Sequence, residues 1–228
     1  HKRGGSATNL DGSLNIDDAL NPTQLGVHIR DDLDAPVLIF ETETDITVLR
    51  YAAARQDDTD MIRTWEVAGA AHADAHFVGG SFDACGRPIN NGPHHYVATA
   101  ALAAIMRWVE HGETPPRSPR IQTTGEGEQA LINRDEYGNA LGGIRTPSVD
   151  VPVSTLTGEA PPGGPSFCRL FGASYPFDDA TLLALYGSNA NYLETFNAAL
   201  NNAIEAGFVR AEDADEYLNE AAQVVIPE

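Results

Sequence analysis

The stretch from Pro36 to His76 sets the terms on which this chain can fold. It opens with Pro36-Val37-Leu38-Ile39-Phe40, a short apolar run without alternation. That pattern belongs to a strand buried on both faces, as in a parallel sheet covered by helices. A second strand-like run, Thr64-Trp65-Glu66-Val67-Ala68, follows. Each run ends in chemistry. The acidic cluster Glu41, Glu43 and Asp45 lies past the first, and Gly69-Ala70-Ala71-His72 lies past the second. In open α/β sheets, reactive groups gather beyond the carboxyl ends of the strands. Asp45 and His72 are 27 positions apart, room for one crossover helix between parallel neighbours. Ile46, Leu49 and Ala53 carry helical spacing within that crossover. A carboxylate and an imidazole so placed can pair, the acid orienting a ring that takes a proton from a serine. Glu41, Glu43 and Asp45 are all candidates for the acid.

The rest of the chain reads as follows. Leu10 to Arg30 is a mixed segment in which Pro22 and Gly26 argue against a long helix, with a turn at Asn21-Pro22-Thr23. Asp57 to Asp60 reads as a solvated turn, and Gly79 to Pro93 as a long loop. His95 to His111 is the clearest helix, with Val97, Ala101, Ile105, Trp108 and Val109 on one stripe and Gly112 as its stop. His94 and His95 at its start read as capping or surface groups. Ala130 to Leu141 has the pattern of two short strands around a turn. A proline-studded extended arm follows, in which Arg145 reads as a structural ion-pair partner rather than a substrate-binding cation. Pro161 to Pro165 is rich in turn residues. Helices are expected from Pro176-Phe177-Asp178 through about Tyr186, from Asn189 to Ala206 and from Ala211 to Val224.

Several blocks of sequence resemble a known family. They are DLDAPVLIFETETD, WEVAGAAHAD, RPINNGPHHYV, GNALGGIRTPSVDVPV and CRLFGASYPFD. The chain resembles the C-terminal half of the alpha/beta hydrolase domain-containing proteins, a subgroup of the α/β-hydrolases. The resemblance implies an α/β fold, the C-terminal part of a doubly wound sheet, with a hairpin-containing arm and a helical tail. It implies a hydrolase core over residues 1–119 and a packed extension over 120–228. It places the triad acid several residues past the strand core, at Asp45 with Glu43 in reserve, and the base at His72. His1 to Ser6 resembles the family loop that follows the strand after the nucleophile.

The family nucleophile sits in a G-x-S-x-G elbow upstream of both partners. No such motif occurs here; Gly172-Ala173-Ser174-Tyr175-Pro176 is nearest, but Pro176 replaces the second glycine and the segment lies downstream. The expectation is therefore a serine hydrolase of carboxylic esters whose serine and oxyanion hole come from an N-terminal segment, the chain being inactive alone. The alternatives are a non-catalytic binding or structural module, and a metal-dependent hydrolase built on His72, Asp74 and His76. In that last case Ala73 stands where a zincin has glutamate. No cofactor is expected, and the implied small-molecule partner is an ester.

Composition closes off other classes. The formal net charge is −19, with a pI near 4.5. Such a balance disfavours nucleic acid and anionic membranes as partners. Cys85 and Cys168 fit no metal-ligand spacing and lie in Gly- and Pro-rich sequence. A bond between them fits an exported protein, secreted or periplasmic; two free thiols are the alternative.

Overall fold

A computed structural model describes residues 26–30, 32–160 and 165–227. The expected turn at 21–23, the amino-terminal loop at 1–6 and the turn-rich stretch at 161–164 lie outside these residues.

The two apolar runs form adjacent parallel strands. Strand β1, Val37–Thr42, pairs with β2, Ile62–Val67, from Val37↔Ile62 to Thr42↔Val67. Both run past the bounds expected from the apolar runs. A further bridge, Val67↔Ile144, lies parallel to β2. The crossover is not the continuous helix that Ile46, Leu49 and Ala53 suggest. It is a five-residue helix α1, Glu43–Thr47, then a 3₁₀ turn, Tyr51–Ala54, divided by Arg50 in the left-handed region at φ 61°. That φ is unfavourable for a residue with a side chain and interrupts the helical ladder.

Helix α2, Ala75–Val78, is a single turn; α3, His94–His111, is the long helix the periodicity predicts. Tyr96, Val97, Ala100, Ala101, Ala104 and Trp108 are buried, whereas Val109, read as part of the stripe, is exposed. Ala70, Val97, Ala100, Ala101 and Ala104 pack with Trp65, Val67 and Ile144. One face of the sheet is therefore covered by α3. The other face packs Ile39 and Ile62 with Ile46, Tyr51, Ile121, Val149 and Leu156. Asp57 to Asp60 is not merely solvated, because Asp58 Oδ1 accepts from Thr64 N at 3.0 Å and from Arg120 at 2.6 Å.

The segment at 130–141 forms less strand than expected. Strand β3, Thr123–Thr124, pairs antiparallel with β4, Leu131–Ile132, and the turn at Asp135 to Gly138 is closed by the single bridge Arg134↔Ala140. After one turn of helix, α4, Pro147–Asp150, strand β5, Ser154–Thr157, pairs antiparallel with β6, Ala173–Pro176. Arg145 is a structural cation, bonded to Asp150 at 2.7 Å and Asp135 at 3.1 Å.

The tail has the three expected helices, α5 Asp179–Tyr186, α6 Asn189–Glu205 and α7 Ala214–Ala221, but Pro176 ends β6 rather than opening α5, and α7 is preceded by a 3₁₀ turn at Ala211–Asp213. Asp178 and Ser188 cap α5 and α6 by accepting from Thr181 N and Asn191 N. Tyr192, Phe196, Leu200 and Ala203 of α6 share a core with Tyr96, Tyr217 and Ala221. No described helix is long and apolar enough to cross a membrane.

Candidate active site

Residues past the carboxyl ends of β1 and β2 meet. Asp45 Oδ1 stands 2.9 Å from His72 Nδ1. Local sequence explains the acid's position. Thr42 ends β1 in extended backbone, so Asp45 falls three residues later, in the first turn of α1. Its Oδ2 accepts from the Thr42 amide at 2.8 Å and the Thr42 hydroxyl at 2.7 Å. One carboxylate oxygen is thus fixed by the helix start and the other meets the imidazole. Asp45 is 2% exposed, which removes water as a competitor for the ring.

The ring is held from its backbone as well. His72 N donates to Thr44 Oγ1 at 3.2 Å, and that hydroxyl donates to Gly158 O at 2.6 Å. Glu43 N donates to Ala70 O at 3.2 Å, binding α1 to the histidine loop. Gly69 begins that loop at φ +69°, and a Cβ there would lie 2.5 Å from Val149 Cγ2. Only glycine combines that backbone with that closeness. Asn90, from the long loop before α3, donates from Nδ2 to Gly69 O at 3.0 Å and to Thr157 O at 3.1 Å.

Glu43, the reserve acid, faces elsewhere. Its carboxylate accepts from Gly69 N at 2.7 Å, Gly158 N at 3.1 Å and Arg134 Nη2 at 3.0 Å. Burial drives its pKa up, against Arg134 and the two amides, while the Arg134 pKa is also raised because Glu43 and Glu159 more than offset its own burial. The ion pair is the better description, because amides and a guanidinium supply only donors to the carboxyl. Glu43 therefore builds the scaffold beneath the histidine loop. Glu41 is buried on the strand, and its charge contributes to raising the Tyr51 pKa, after burial and Glu66.

The cluster His72, Asp74 and His76 does not assemble as a metal site. Among the described residues, only His95, Glu216 and Glu220 bring three such ligand atoms together. Asp74 instead caps α2, accepting from Phe77 N at 2.9 Å. The His76 ring lies flat on His95, centroids 3.7 Å apart. His94 and His95 are not surface groups either. His94 stacks on Phe40 at 5.5 Å, and burial lowers its pKa. Ser174, of the nearest elbow-like sequence, lies in β6 with its hydroxyl 2.6 Å from Asn91 Oδ1.

Cys85 and Cys168 are bonded, with Cα atoms 5.6 Å apart. The bond joins the loop before α3 to the 3₁₀ turn Ser166–Leu170, inside a small cluster with Ile89 and Phe171. Arg87 adds a hydrogen bond to Cys168 O at 3.1 Å.

Thr42, Thr44, Asn90 and Arg134 position the pair and were not singled out from sequence. Thr42 alone left a legible signal: a threonine three residues before an acid, just past an apolar strand, resembles a capping box. The other three act through contacts between distant segments.

A family model described as an alpha/beta hydrolase domain matches residues 1–219. Neither the curated proteins nor the solved structures offer a match.

Proposed function

The chain belongs to the alpha/beta hydrolase domain family, and on that premise we propose that it supplies the base and orienting acid of a serine hydrolase acting on carboxylic esters. The observation that carries this reading is the 2.9 Å approach of Asp45 Oδ1 to His72 Nδ1 beyond two neighbouring parallel strands. The carboxylate, already committed through Oδ2 to Thr42, accepts the Nδ1 proton. That leaves Nε2 as the basic nitrogen. His72 takes the proton of a serine as the hydroxyl attacks the ester carbonyl, and returns it to the leaving alkoxide. Asp45 stabilises the imidazolium that forms between these steps.

The serine and the oxyanion-hole amides come, in this proposal, from a segment N-terminal to residues 1–228. The sequence has no G-x-S-x-G turn, and Ser174 is engaged with Asn91. That segment also contributes further strands of a doubly wound sheet. The substrate is a small ester, and no cofactor takes part.

The test compares the full-length protein with its His72→Ala and Asp45→Asn variants on a short-chain aryl ester, alongside fluorophosphonate labelling. The proposal expects labelling of a serine outside residues 1–228. It also expects losses in kcat of roughly 10⁴-fold for Asp45→Asn and at least as large for His72→Ala. Turnover that survives His72→Ala, or robust turnover by residues 1–228 alone, would overturn it. A folded full-length protein with neither labelling nor turnover would identify a binding module instead.

A further inference from the structure

His95 sits badly as an ordinary helix residue. Its ring is half-buried, and both ring nitrogens are shut off from solvent without a hydrogen-bond partner. A neutral imidazole carries one donor and one acceptor, and leaving both unmet is costly. Glu216 and Glu220, one turn apart on α7, face it, and one ligand atom from each of the three residues lies within 4.8 Å of the others. No hydrogen bond or ion pair joins the ring to either carboxylate among the described residues.

Neighbouring residues fix this arrangement. Tyr96, next to His95, stacks on Tyr217, next to Glu216, with centroids 3.9 Å apart and planes 12° from parallel. The Tyr217 hydroxyl is in turn 2.9 Å from Thr146 Oγ1 and 2.7 Å from Ser148 Oγ. His76 stacks on one face of the His95 ring. The second observation that points to a ligand is Tyr96. It is 2% exposed, and its hydroxyl lies close to the Glu220 carboxylate without reaching good hydrogen-bond geometry. Two like charges at i and i+4 disfavour a helix this short unless something lies between them.

We propose that His95, Glu216 and Glu220 bind a divalent transition-metal ion of zinc's class, clamping α7 to the start of α3. One imidazole nitrogen and two carboxylate oxygens form a set that suits zinc, manganese or iron, whereas calcium and magnesium prefer oxygen alone. Ligand atoms within 4.8 Å of one another must draw in to close on an ion at ligand distances of about 2.0–2.2 Å, and the two exposed glutamate side chains are the ones that can move. Tyr96 then has its partner, donating to the Glu220 carboxylate from outside the coordination sphere. The ion would pin the C-terminal tail to the helix that covers the sheet.

Zinc is titrated into chelator-treated full-length protein, followed by calorimetry, metal analysis and thermal unfolding. The expected result is about one zinc per chain and a Tm that rises with zinc concentration. The double variant Glu216→Gln, Glu220→Gln alters only exposed side chains and keeps the fold, as circular dichroism would record. It should bind zinc at least about tenfold more weakly and lose the Tm rise. Cobalt, substituted for zinc, should show visible ligand-field bands that change in His95→Gln. Uptake below one equivalent, equal affinity in wild type and double variant, or displacement of zinc by equimolar calcium would overturn the proposal.

Discussion

Removing the Cys85–Cys168 bond tests how the tail is tied to the core. The crosslink spans 83 positions of sequence. A closed loop of that length removes about 15 cal/mol/K of entropy from the unfolded chain, or about 4.5 kcal/mol at 25 °C. That is a large share of the 5–15 kcal/mol typical of a folded protein. The perturbation is Cys85→Ala with Cys168→Ala, chosen because Cys168 is fully buried and serine would bury an unmet hydroxyl there. Guanidinium unfolding is followed by tryptophan fluorescence, since Trp65 and Trp108 are both buried and report the core around α3. Reduced wild type is the control, because it loses the constraint without losing the sulfur atoms that pack with Ile89 and Phe171. Both forms should be less stable than the oxidised protein by about 3–5 kcal/mol, the reduced wild type the lesser of the two. A loss below about 1 kcal/mol in both would refute the reasoning: the unfolded chain would already be held compact by other contacts, and the tail would not depend on the bond.

Arg134→Ala leaves Glu43 buried without its guanidinium and should cost about 3–5 kcal/mol in denaturant unfolding; Arg134→Ala with Glu43→Gln should recover part of this. Gly158→Ala should lower Tm, because a Cβ there would stand 2.4 Å from Thr44 N and 2.5 Å from Glu43 Cβ, displacing the turn that carries Asp45. Thr44→Val removes the hydroxyl that holds the His72 amide, so kcat of the full-length protein should fall by a smaller factor than in Asp45→Asn, with KM little changed. Asp178 has its pKa lowered by its bonds to Thr181, so the folded state binds fewer protons than the unfolded one. The wild type's stability advantage over Asp178→Ala should therefore be complete above pH 3.8 and fade as pH falls through the lowered folded value, which urea unfolding across an acid series would record.

The sequence by itself determined the parallel pair and where its chemistry goes. Five apolar residues from Pro36 to Phe40 mark a strand with apolar groups on both faces, of which Ile39 is buried and Leu38 and Phe40 half-buried, and the polar residues that end such a strand emerge at its carboxyl edge. The long helix from His94 and the tail helices were legible for the same reason, since a 3.6-residue apolar period and its caps are local properties. Which acid meets His72 was a tertiary decision. Glu43 and Asp45 are two positions apart on a single helical turn and so point different ways, Asp45 to the imidazole and Glu43 down to Arg134, which is 91 positions away. The broken crossover is a tertiary outcome too, set by Arg50 in the left-handed region, where periodicity alone suggested a continuous helix. His95 shows the limit most clearly. Its residue type and helix position read as surface, and only the return of α7, more than a hundred residues later, brings Glu216 and Glu220 to its ring, because contacts of that separation follow from packing rather than from any local pattern.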